Sequence, residues 1–116
     1  MNGWIAVDLD GTLAQYDGWV SPTHIGEPVP LMVDRVKQWL IEGKDVRIFT
    51  ARVFPGGNVS EDEVQEVRIA ISNWCKINVG EVLLITCTKD YGMVELWDDR
   101  AVQVIPNTGK RADGNV

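Results

Sequence analysis

Residues 4–12 read Trp4-Ile5-Ala6-Val7-Asp8-Leu9-Asp10-Gly11-Thr12. The first four are apolar without a break, as expected of a short strand covered on both faces. The run stops at a carboxylate, and a second carboxylate, a glycine and a hydroxyl follow at once. In an open parallel α/β sheet, ligands bind outside the carboxyl ends of the strands. The stretch therefore predicts both a sheet of that kind and the edge at which its chemistry sits.

Working outward, four more β-rich runs end in polar residues or proline. Val46-Arg47-Ile48-Phe49 ends at Thr50, Val82-Leu83-Leu84-Ile85 at Thr86, Val94-Glu95-Leu96-Trp97 at Asp98, and Val102-Gln103-Val104-Ile105 at Pro106. Helical periodicity fills the gaps between the first three. Residues 31–42 place Met32, Val33, Val36, Trp39 and Leu40 on one stripe, with Pro28 and Pro30 before it and Gly43 after it. Residues 61–77 place Val64, Val67, Ile71, Trp74 and Cys75 on another, opened by a Ser60/Glu63 capping box. Strand–helix–strand–helix–strand predicts parallel pairing with right-handed crossovers. The link from the third run to the fourth is shorter than the dozen or so residues of a usual crossover. Either a late strand is antiparallel or that connection is compressed. The fifth run is expected to be a short edge strand.

Composition sets the remaining bounds. The chain has 116 residues, 17 acidic and 11 basic side chains, and a formal net charge of −6. That length suits one domain, expected over residues 1–109, with a polar, poorly ordered tail over 110–116. The negative balance disfavours nonspecific nucleic-acid binding and anionic membrane surfaces. Cys75 and Cys87 have no ligand spacing around them, which argues against a disulfide framework or a zinc site. No signal peptide and no membrane span is visible, so a cytoplasmic location is expected. The fold class is α/β, a three-layer sandwich with a mostly parallel, Rossmann-like sheet.

If the first strand is central, four polar clusters converge: Asp8 to Thr12, Thr50 to Arg52, Thr86 to Lys89, and Asp98 to Arg100. Several carboxylates in one small volume repel one another unless a cation sits among them. Oxygen-only ligands point to a hard divalent ion, Mg²⁺ first. Lys89 and Arg52 would then hold an anion beside it, an arrangement suited to phosphoryl transfer. Asp8 is the candidate nucleophile, since a carboxylate can accept a phosphoryl group and release it to water. The D-x-D-G string also opens calcium-binding loops, but Trp19 falls where such a loop needs its bidentate Glu and Leu13 where it needs a glycine.

DLDGT at 8–12, FTAR at 49–52, Lys89 and WDDRA at 97–101 resemble, in order and placement, the four motifs of the haloacid dehalogenase (HAD) superfamily. The resemblance implies a Mg²⁺-dependent phosphomonoester hydrolase acting through an aspartyl-phosphate on Asp8. Asp10 would serve as general acid and base and bind the metal through its backbone carbonyl. Thr50 would hold the transferring phosphoryl group and Lys89 would neutralise it. Gly11, Thr12, Arg52 and Arg100 are expected at the substrate. Asp99 would touch the metal directly, with Asp98 ordering a bound water. An acidic residue at position 10 goes with phosphatases and mutases in the superfamily.

The segment 14–27, with Tyr16, Trp19 and His24, has the length of a flap and leaves no room for a cap domain. An open site suits a phosphorylated small molecule or a phosphorylated polymer end, and it also suits a homo-oligomer that covers it. T-A-R and D-D-R further resemble the phosphatase half of polynucleotide kinase-phosphatases. Phosphoryl transfer to an acceptor other than water, or a HAD-fold module that binds without catalysis, are the alternatives.

Overall fold

A computed structural model describes residues 3–115. Strands β1 (Trp4–Val7), β2 (Val46–Phe49), β3 (Leu84–Thr86) and β4 (Met93–Trp97) form one sheet in the order β3-β2-β1-β4. All three pairings are parallel. β1 is central, as its unbroken apolar run requires, and all four of its residues are buried. Helix α1 (Pro30–Ile41) joins β1 to β2, and helix α2 (Glu61–Asn78) joins β2 to β3. Pro30 starts α1 where its missing N–H is no loss. At the head of α2, Glu63 Oε1 accepts from the Ser60 backbone N–H at 3.0 Å, closing the expected capping box.

The core lies on one face of the sheet. Ile5, Val7, Val46 and Ile48 point into it, opposite Val36 of α1 and Val67, Ile71 and Cys75 of α2, all buried in one cluster. Burial pushes the Cys75 thiol up to about 12, so it is inert at neutral pH. Trp4 and Ala6 point to the other face, where Trp4 Nε1–H donates to Asp90 Oδ1 at 2.8 Å and Arg47 lies over the indole. Among the described residues no helix covers that face, so the third layer is chain rather than helix.

That asymmetry explains the compressed connection. Strands of three to five residues are only about 10–17 Å long, and the extended link 87–92 can reach about 20 Å. It therefore returns to the start of the sheet without a helix, and Gly92 O accepts from Trp4 N–H at 2.8 Å. β4 is parallel, which excludes the antiparallel alternative. The third strand begins two residues later than the apolar run, and Leu84 is exposed because β3 is an edge. Residues 102–105 do not join the sheet. Val104 instead bridges Arg111, and Ile105 N–H donates to Lys110 O at 2.8 Å, so a local hairpin holds the expected tail. Asn107 and Gly109 take positive φ at its tip, the conformation such tight turns demand. Val116 lies outside the described residues. No described helix is long and apolar enough to cross a membrane.

Candidate active site

Leu9 and Leu13 place the acidic loop. Both are fully buried, and Leu9 O accepts from the backbone N–H groups of Thr12, Leu13 and Ala14. With the leucines drawn into the core, Asp8 and Asp10 line the cavity above the strand ends. Gly11 takes φ +89°, and a Cβ there would lie 2.5 Å from Asp99 Oδ2. Gly11→Ala is therefore expected to reduce stability by about 1–2 kcal/mol and to displace the Asp99 carboxylate. Chemical denaturation checks the first effect and a crystal structure of the variant the second; an Asp99 carboxylate left in place would contradict it.

Asp8, Asp98 and Asp99 each bring a carboxylate oxygen within 4.8 Å of the other two. β1 and β4 are neighbours, and Val7 pairs with Trp97, so Asp8 and Asp98 leave the sheet side by side. Thr12 ties the two ends together. Its Oγ1 donates to Asp8 Oδ2 at 3.3 Å and accepts from the Asp99 backbone N–H at 3.1 Å. Burial foremost, then the charges and close carboxyls of Asp98, Asp99 and Asp10, push the Asp8 carboxyl up to about 7. Three oxygen donors that repel one another suit a hard divalent cation, and Asp8, Asp98 and Asp99 are the side chains able to hold it.

A cavity of about 570 Å³ opens over this floor. Asp8, Asp10, Thr50, Arg52, Asp98 and Asp99 all line it, and Arg100 does so from beside Asp98. Thr50 is buried, and its Oγ1 accepts from the Arg52 backbone N–H at 3.2 Å, leaving the hydroxyl proton to donate. Gly11 and Thr12 do not line the cavity; they support it from behind. Lys89 is not brought in either. It is exposed on the link that leaves the strand ends for the far end of the sheet.

Arg52 departs most from the expectation that it would hold substrate. It is 5% exposed and its guanidinium is committed within the protein. Nε and Nη2 donate to the two oxygens of Asp10 at 2.7 and 3.0 Å, and Nη1 donates to the backbone carbonyls of Ser21 and Pro22 at 3.1 and 2.8 Å. The same group lies 4.9 Å from the centre of the Trp19 ring. Arg52 thus clamps the flap to the end of β2, by way of a 3₁₀ turn at Ala51–Val53. Trp74 of α2 holds the other end of the flap, donating to Gly26 O at 2.9 Å. His24 is exposed and lines a separate, smaller hollow under the flap.

The sequence reading missed the wall formed after Thr50. Phe54, Gly57, Asn58 and Val59 line the cavity together with Phe49. The available signal was the string Phe54-Pro55-Gly56-Gly57-Asn58, a turn-rich loop directly after a strand end, where binding residues concentrate.

No family model matches the chain, and no curated protein matches it. A solved structure described as a conserved protein coded by a locus of Bacteroides thetaiotaomicron is similar to it, with a TM-score of 0.57 and 23% identity. The match covers 92% of this chain and 84% of that one, and it shows a shared fold.

Proposed function

We propose that the protein is a phosphomonoester hydrolase of the HAD type that uses Asp8 as nucleophile and Mg²⁺ as cofactor. One observation carries the reading: the carboxylates of Asp8, Asp98 and Asp99 meet at the strand ends, beside Asp10 and the Thr50 hydroxyl. Asp8 is half-buried beside Asp98 and Asp99, and its partial burial with their mutual repulsion opposes the gathering unless a cation offsets the charge.

The residues divide the work as follows. An Asp8 oxygen attacks phosphorus as the ester P–O bond breaks, giving an aspartyl-phosphate and the leaving alcohol. Once its pair with Arg52 loosens and it takes up a proton from solvent, Asp10 gives that proton to the leaving alcohol, then takes one from the water that attacks phosphorus and frees Asp8. Thr50 donates its hydroxyl proton to a phosphoryl oxygen, and Arg100 supplies the positive charge expected of Lys89. Bound by Asp8, Asp98 and Asp99, Mg²⁺ supplies charge neutralisation for the phosphoryl oxygens and the carboxylates. Both Asp10 oxygens accept from Arg52, so proton transfer requires that pair to loosen as substrate enters.

The test is phosphate release from an aryl phosphate with Mg²⁺ and after chelation. Turnover that chelation abolishes is expected, and equal turnover with and without metal contradicts the reading. A pH dependence accompanies it. Between an unfolded value of 3.8 and a folded value of about 7, the folded Asp8 keeps a proton that the unfolded chain has lost. Its contribution to metal-free stability therefore falls as pH rises through that window. Mg²⁺ competes with the proton, so the rise in melting temperature on adding Mg²⁺ is expected to be larger at pH ~8 than at pH ~5. Asp8→Asn should lose that difference.

A further inference from the structure

We propose that the cavity takes a phosphomonoester carrying a planar aromatic ring, and that a free mononucleotide is the class it fits. The proposal rests on the phosphomonoester reading for its reactive end and on separate residues for its recognition end. Away from the acidic floor, the lining is mostly aromatic and apolar. Tyr16 and Trp19 come from the flap, and Phe54 comes from the loop after β2. These three rings are 40%, 39% and 56% exposed. Large aromatic surfaces left to water around a single cavity lose burial that a flat ligand would restore.

The volume agrees with a ligand larger than a phosphoryl group. About 570 Å³ lies within the range of small-molecule sites. A sugar phosphate would leave the rings of Phe49, Phe54 and Trp19 without a flat apolar partner, since its hydroxyls suit only the polar Tyr16 and Asn58 of the same lining. A planar base suits the same surface. Its faces stack on aromatic rings, and the Asn58 carboxamide in the same wall provides a donor and an acceptor for a base edge.

Charge separates a mononucleotide from a strand end. A polynucleotide needs cations along its flanking phosphates. The cavity holds two arginines, Arg52 and Arg100, and Arg52 also holds the flap carbonyls of Ser21 and Pro22. Two cations at most beside an acidic floor, in a chain of net charge −6, suit one phosphate and not a track of them.

The experiment compares adenosine monophosphate, glycerol phosphate and a phosphorylated oligonucleotide as substrates, by phosphate release. The nucleotide is expected to exceed glycerol phosphate in kcat/KM by at least about tenfold, the scale of one stacked base. Phe54→Leu keeps the bulk and removes the aromatic face, so it should collapse that ratio toward one, mainly through KM. Phe54→Tyr should preserve the ratio. Equal use of glycerol phosphate, with no effect of Phe54→Leu, overturns the proposal and leaves the hydrolase reading standing. Preference for the oligonucleotide over the mononucleotide overturns the assignment to free nucleotide. Calorimetry of adenosine monophosphate with the Asp8→Asn protein separates the two readings. Binding weakened by Phe54→Leu supports the ring site even if no ester is turned over, and absence of binding together with absence of turnover overturns it.

Discussion

Replacing Asp8 by Asn is expected to reduce phosphate release from an aryl phosphate by at least about a thousandfold, while leaving the fold intact or more stable. The rate effect follows from removing the proposed nucleophile: an amide oxygen cannot form the acyl phosphate, and residues acting as one unit fail together. The stability effect has the opposite sign. At neutral pH the folded protein holds Asp8 among three other carboxyls, and its carboxyl is pushed up to about 7. A neutral amide of the same shape relieves that repulsion. The expected gain in metal-free protein is about 1–2 kcal/mol, below the full linkage value because the carboxyl keeps part of its water. On a domain of this size, about 1 kcal/mol shifts the melting temperature by about 4–8 °C. A variant that turns over as fast as the natural protein contradicts the nucleophile assignment. One that melts lower without metal contradicts the account of the acidic floor.

The second large effect belongs to Arg52. Arg52→Ala removes both bonds to Asp10, both bonds to the flap carbonyls of Ser21 and Pro22, and the stacking on Trp19. Removing one partner of a buried ion pair costs about 3–5 kcal/mol, because the other charge stays behind unpaired. Asp10 keeps some contact with water, with a side chain 21% exposed, so the lower end of that range is expected. Denaturant unfolding measures it, and hydrogen exchange over residues 16–25 should show the flap opening while α2 stays protected. Arg52→Lys should recover little, since a point charge cannot span two carboxylate oxygens and two carbonyls. Stability within about 1 kcal/mol of the natural protein would show that the clamp does not hold the flap. Because Asp10 is the other half of this pair, Arg52 joins flap position to the proposed acid and base.

Much of this architecture was legible in the sequence for local reasons. The burial of Trp4–Val7 follows from an unbroken apolar run. The two helices follow from their stripes, from Pro30 at one start and from the Ser60/Glu63 box at the other. Asp8, Asp10, Thr50 and Asp98–Asp99 were readable as one site because each follows a strand, and parallel strands deliver their ends to one edge. Those properties depend on neighbours in sequence and on periodicity.

Other features depend on where the chain goes in space. Lys89 lies three residues past its strand end where Thr50 follows at once, and the link 87–92 must return to the start of β4, so the lysine travels with it. Thr12 reads as a substrate hydroxyl in its motif. Only the neighbouring strand reveals that it joins Asp8 to Asp99. Arg52 reads as a cation for an anion, yet its partners Asp10, Ser21 and Pro22 come from a segment that folds back across the sheet. The aromatic wall combines residues 16, 19 and 54, which no sequence period connects. The sequence by itself determined the sheet, the helices and the acidic edge, because hydrophobic pattern and strand direction are local. The tertiary structure decided which polar groups face one another and which are already taken, because a hydrogen bond or ion pair depends on distance in space rather than along the chain.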